Sequence, residues 1–172
     1  WQVYSDWTTI ELFHLDAYMD QTHYSLLNEI NQYHAPQFME YWSNKHGLDI
    51  IARIWKEAVG KEDPVLAYQR LTRINQEQFN DEIYEAATRF VTWDIPRVER
   101  VCSSYANQHR CKLDKANEGW YQIAQSRCPQ NYGYNVIRLN VPEGGKVVYL
   151  NFKGFAGDEA FRSVQTDKAG WR

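Results

Sequence analysis

The chain has 172 residues, 44% hydrophobic and 24% charged, with a formal net charge of −3, the profile of a folded protein with enough length to bury a core. No apolar run approaches the roughly 20 residues a membrane helix needs, and a small negative charge without a basic stripe argues against nucleic acid as a partner. The chain opens on Trp1 with no secretory n-region or h-region, which reads as a processed or truncated piece of something longer.

Apolar residues recur at helical spacing up to about residue 117, and beyond it Gly, Pro and Asn punctuate short alternating runs. The expected organisation is a helical subdomain over 1–117 and a β appendage over 118–172. Thr8-Thr9-Ile10-Glu11 has the pattern of a capping box. Leu12, Leu15 and Met19 follow on one face, and the apolar series resumes at Leu26, Leu27 and Ile30. Residues 9–33 are therefore one long helix or two, and a break near Asp20-Gln21-Thr22 is the favoured reading.

Pro36 fits the first turn of a helix over 36–46 and biases Ala35 toward an extended backbone. Phe38, Tyr41 and Trp42 form the buried face of that helix, and Gly47 closes it. Ile50, Ile51, Ile54, Trp55 and Ala58 mark the next helix, stopped at Gly60. Asp63-Pro64 caps a helix carrying Val65, Leu66, Tyr68 and Leu71. Asn75 with Gln78 begins another, with Phe79, Ile83, Ala86, Ala87 and Phe90 as its inward stripe. Asp94 is expected to cap a helix with Pro96 in its first turn and Val98, Val101, Cys102 and Tyr105 on its apolar face.

The tail changes period. Ile137, Leu139 and Val141 alternate with polar residues, and after Pro142-Glu143-Gly144-Gly145 the alternation returns at Val148, Leu150 and Phe152, a hairpin signal. Such a hairpin is marginal alone, so it needs the helices, a third strand at Trp120–Ala124, or strands beyond Arg172. Aromatic residues make up 15% of the chain, for which core packing is the first explanation. The alternative is a ligand platform of Trp120, Tyr121, Tyr132, Tyr134 and Trp171.

Three cysteines leave at least one unpaired. If the helix after Asp94 ran to about His109, Cys102 and Cys111 would lie roughly 13 Å apart, well over the ~7 Å a disulfide allows. Cys102 then reads as a core thiol, and Cys111 with Cys128 as the more plausible bridge, the alternative being three reduced thiols. HExxH, a Gly-rich phosphate loop, GxSxG and a CxxC pair are all absent. None of His14, His23, His34, His46 and His109 stands four residues from another, as a helical zinc pair would. No metal site is expected in this chain.

The phrases WQVYSDW, INQYHAPQFMEYWSNKHGLDIIARIWKE, DPVLAYQRL, QEQFNDEIYEAATRFVTWDIPR and PQNYGYNVIRLNVP, in that order, span nearly the whole chain. Together they resemble the C-terminal portion of a family of secreted bacterial proteins carrying a domain of unknown function, which is similar to gluzincin zinc metallopeptidases. The resemblance implies a thermolysin-like helical subdomain followed by a partial antiparallel β-sandwich. It also implies an upstream segment that bears HExxH and a third zinc ligand, so that zinc is expected only in a longer parent protein and this chain alone is inactive.

Several gluzincin families place a tyrosine just before a helix that ends in glycine, in the order Tyr33, helix, Gly47. By that likeness Tyr33 donates to the oxyanion that forms when zinc-bound water attacks a peptide carbonyl, and His34 lines the substrate cleft. Packing at the start of the helix is the competing role for both.

The expected architecture is thus a predominantly helical α+β fold of about six or seven helices with a partial sandwich. Three functions stay open. The chain is a zinc-free wall of a secreted peptidase's cleft, partnered by the missing N-terminal segment and a peptide; a carbohydrate- or protein-binding module; or a structural domain.

Overall fold

The computed structural model describes residues 11–31, 36–141, 143–144, 147 and 149–151, and the side chains of residues 11–14 fall outside that description. The chain forms two compact units, Trp1–Val136 and Ile137–Arg172. Among the described residues are six α-helices and one two-stranded antiparallel sheet, a predominantly helical α+β fold.

Helix α1, Glu11–Asp20, buries Leu15, Tyr18 and Met19. It ends at Asp20, at the favoured break, but the described residues 21–31 that follow form no second α-helix. Side chains there bond to nearby backbone: the Ser25 hydroxyl accepts from the Leu27 amide at 3.3 Å, and the Asn28 side-chain Oδ1 from the Ile30 amide at 2.9 Å. Such local bonds replace helix with turns. They leave Leu27 and Ile30 exposed, contrary to the expected apolar stripe. The Thr8–Glu11 capping box lies outside the described residues.

Helix α2 spans Pro36–His46 and α3 Ile50–Glu57. Phe38, Tyr41 and Trp42 are buried as the spacing requires, and Gly47 at φ +100° closes α2 through its amide to the Ser43 carbonyl at 3.0 Å. On α3 only Ile50 and Ile54 are buried, and Trp55 is 80% exposed. Packing through a single i, i+4 stripe excludes the neighbouring position from the core.

Helices α4, Pro64–Thr72, and α5, Gln76–Thr92, begin as their sequences dictate. Asp63 accepts from the Val65 and Leu66 amides at 2.8 and 2.9 Å, and Asn75 and Gln78 close a reciprocal capping box with both bonds at 2.9 Å. Helix α5 terminates at Trp93, whose backbone is left-handed (φ 59°, ψ 32°) although its indole is fully buried.

Helix α6, Pro96–Cys102, is capped not by Asp94 but by Ile95, without a side-chain bond. Pro96 forces the residue before it to be extended, and the Asp94 amide is spent on the Arg89 carbonyl at 2.9 Å in the turn that ends α5. The helix stops at Cys102 and yields to a 3-10 turn, Ser103–Tyr105, well short of His109. Cys102 is a buried core thiol.

The core is aromatic and centres on Phe90 of α5. Its ring meets Phe38 at 4.8 Å, Tyr18 and Tyr41 edge-on at 6.4 Å, and Trp93 at 5.9 Å.

Strands β1, Leu113–Lys115, and β2, Tyr121–Ile123, pair in the register Leu113↔Ile123, Asp114↔Gln122 and Lys115↔Tyr121. Strand β2 falls within the expected Trp120–Ala124 strand, whereas β1 carries no alternation to announce it. The loop between them turns through left-handed Glu118 and Gly119.

From Arg127 to Asn135 the chain straps the α1–α2 connection. Gln130 and Tyr134 donate backbone amides to the His23 and Thr22 carbonyls, both at 2.8 Å. Gly133 is required there, because a Cβ would come within 2.4 Å of the His23 carbonyl oxygen. The described residues of Ile137–Arg172 contain no helix or strand, and the expected strand residues Val148 and Phe152 lie outside them.

Candidate functional site

Tyr33 and His34, the expected oxyanion donor and cleft residue, lie outside the described residues, as does Trp171. The other aromatic candidates separate. Tyr132 packs edge-on against Phe79 at 5.0 Å and Tyr134 bonds the Tyr18 hydroxyl at 3.1 Å, so both belong to the edge of the core. Trp120 and Tyr121, on the hairpin, are 44% and 64% exposed. The expected Cys111–Cys128 bridge is not formed, and all three cysteines are free thiols. Among the described residues no three His, Cys, Asp or Glu side chains are grouped to hold a metal ion.

The densest chemistry lies where the end of α2 meets α4 and α5. Glu82 of α5 is 6% exposed. One of its carboxylate oxygens accepts from the Tyr68 hydroxyl, and the other lies 3.0 Å from His46 Nε2 and 3.9 Å from Lys45 Nζ. One turn on, Glu85 accepts from Tyr41 at 2.9 Å and from Lys45 at 2.5 Å, and pairs with Arg89 at 3.0 Å.

Burial, reinforced by the adjoining carboxylates, pushes the Tyr41 and Tyr68 phenols far above their ordinary range, so both stay neutral donors. Burial opposes ionisation of Glu85 as well, but bonds from Lys45 and Tyr41 and the charges of Lys45 and Arg89 outweigh it and hold its carboxyl below the usual value. Each buried charge has a partner, as a low-dielectric setting demands. The cluster therefore locks three helices together, and its half-exposed edge is formed by His46 and Lys45.

On another face of α2, a shallow cavity of about 60 Å³ is lined by Glu40, Ser43, Asn44, Leu48, Ile95 and Arg97. The buried Glu40 carboxylate accepts from Arg97 Nε at 3.0 Å, and the buried Ser43 hydroxyl has no partner among the described residues. The space suits ordered water rather than a peptide side chain.

A third polar group runs through the core. His109 stacks on Trp93, and its Nε2 lies 3.3 Å from the Tyr134 hydroxyl, which meets Tyr18. Burial depresses the imidazole to a pKa of about 4, and its buried Nδ1 has no partner among the described residues. An unprotonated Nδ1 costs less there than a stranded N–H. The neutral ring therefore donates through Nε2.

Sequence reasoning missed Glu82, Glu85, Glu40 and Arg97 because charged residues on helices read as solvated. A signal existed for Glu82, which falls between Phe79 and Ile83 on the inward stripe of α5 and so faces the core.

Residues 1–172 match DUF6055, a family of unknown function, and the chain belongs to that family. No curated protein and no solved structure matches it.

Proposed function

We propose that this member of the DUF6055 family is the zinc-free, C-terminal portion of a secreted, gluzincin-like metallopeptidase, in which it forms one wall of the substrate cleft. The ordered phrases that carry the resemblance support the reading, and so does the setting of α2. Pro36, Gln37, Phe38, Glu40, Tyr41, Trp42 and Ser43 are all buried, so the element directly after Tyr33 and His34 is anchored along most of its length. An oxyanion donor acts through preorganisation, which requires such a rigid support.

In this reading Tyr33 is the neutral donor to the oxyanion and His34 a cleft residue. In this reading, which rests on the resemblance, the metal and its ligands are supplied by another segment of the parent protein. A partial sandwich and the thermolysin-like likeness of the helical part are included in the proposal. The exposed Trp120 and Tyr121 favour a second reading, a carbohydrate- or protein-binding module without catalysis.

The test is made on the full-length protein by zinc analysis and peptide cleavage. Bound zinc with activity, and a Tyr33→Phe variant whose kcat falls about 10- to 1000-fold with KM little changed, is the expected result. An unaltered rate removes Tyr33 from the chemistry. A full-length protein that binds no zinc and cleaves no peptide overturns the reading, and saturable binding of an oligosaccharide, lost in Trp120→Ala, would replace it.

A further inference from the structure

We infer that Cys111 and Cys128 are a thiol pair that oxidation closes into a clasp at the base of the β1–β2 hairpin, fixing the strap over the α1–α2 connection. The ladder that pairs Leu113 with Ile123 continues one step, because the Ala124 amide donates to the Lys112 carbonyl at 3.0 Å. Cys111 is the next residue on that arm. On the other arm Gln125–Arg127 forms a single 3-10 turn, with the Arg127 amide bonded to the Ala124 carbonyl at 2.7 Å and the Cys128 amide to the Gln125 carbonyl at 3.3 Å.

That turn folds Cys128 back toward the same rung. Its Sγ lies 4.0 Å from the Ala124 carbonyl oxygen, and Cys111 Sγ lies 3.9 Å from the Lys112 carbonyl oxygen. A 3-10 turn rises only about 2 Å per residue, and Gln125 and Ser126 within it are exposed. Closing the bond is expected to draw first on this solvent-facing turn.

The two thiols are unequal in a useful way. Cys128 is exposed and Cys111 half-buried, so an external disulfide meets Cys128 first. Burial raises the pKa of Cys111, and the Arg127 guanidinium works against it by favouring the thiolate. With glutathione disulfide as the oxidant, the Cys128 thiolate attacks one sulfur and releases one glutathione. The Cys111 thiolate then attacks Cys128 Sγ in the mixed disulfide and releases the second. Two protein thiols become one disulfide, and their two electrons and two protons leave with the two glutathione thiols.

The strap begins at this clasp. Arg127 donates to the Asp20 carbonyl and pairs with its carboxylate at 3.1 Å. Gln130 Oε1 accepts from the Ser25 amide at 2.9 Å and from Asn28 Nδ2 at 3.3 Å. Fixing Cys128 therefore restrains residues 20–28 through bonds already present. This inference stands independently of any peptidase role.

The experiment treats the full chain with glutathione disulfide and maps its peptides without reduction. A Cys111–Cys128 cross-link is expected, with Cys102 protected from alkylation until the chain unfolds. The oxidised form should melt roughly 6–12 °C higher and exchange the amides of residues 20–28 more slowly, both effects reversed by dithiothreitol and absent in Cys128→Ser. Glutathione adducts without the cross-link, disulfide-linked dimers, or a cross-link that leaves melting and exchange unchanged would each overturn the inference.

Discussion

Between α2 and α6 the chain is held by rings that meet rings, whereas from Arg110 to Asn135 it is held largely by bonds to backbone. Phe90 alone touches four aromatic neighbours. The strap has Tyr132 and Tyr134 as apolar anchors, and otherwise relies on the Thr22 and His23 carbonyls, on Arg127 paired with the Asp20 carboxylate at 3.1 Å, and on Gln130 bound to the Ser25 amide at 2.9 Å. Burial of large apolar surface contributes more per residue than exposed polar bonds do. The helical part is thus the stable platform, and the strap is the part whose hold on it can be tuned.

The largest effect that sharpens this contrast is expected from Phe90→Ala. Emptying the centre of the ring cluster should cost about 3–5 kcal/mol in denaturant unfolding, and a loss below about 1 kcal/mol would place the centre of the core elsewhere.

The next is pH-dependent and sits where the two regions meet, at His109. Its folded pKa of about 4 lies below the roughly 6.5 of an unfolded imidazole, so the unfolded chain takes up the proton first. The stability is present above pH 6.5 and drains as pH falls toward 4, by roughly 3 kcal/mol in all. His109→Phe keeps a ring against Trp93 but cannot titrate, and its stability should fall less over this interval than that of the parent. Parallel losses would show that the imidazole is not buried neutral.

The smallest effect is expected at Trp55. An indole 80% exposed has little to lose, and Trp55→Ser should alter stability by no more than about 0.5 kcal/mol.

The sequence made the helical part legible because its local signals and its packing agree. Pro36 and Gly47 bound α2 at the positions expected, and Asp63 and Asn75 cap their helices through the bonds their side chains predict. Residues 21–31 were not legible. Their apolar spacing suggests helix, yet Asn31 Nδ2 reaches the Tyr24 carbonyl at 3.3 Å and Gln130 secures Ser25 from across the chain. Bonds over such separations leave no periodic trace.

The candidate sites divide in the same way. Glu82 was signalled by its place on a buried stripe, whereas its partners Tyr68 and His46 come from other helices and become neighbours only on folding. Tyr33 and His34 rest on resemblance alone.

The left-handed Trp93 has a consequence for how the chain assembles. A non-glycine residue in that backbone carries some strain, offset here by the local bond from the Asp94 amide to the Arg89 carbonyl and by the contact of the indole with Phe90, Tyr18 and His109. A peptide of α5 alone keeps the local turn bonds but lacks the ring contacts. The corner into α6 is therefore expected to form with the closing of the core rather than to guide it, and destabilised variants should lose that corner before they lose helix α5 itself.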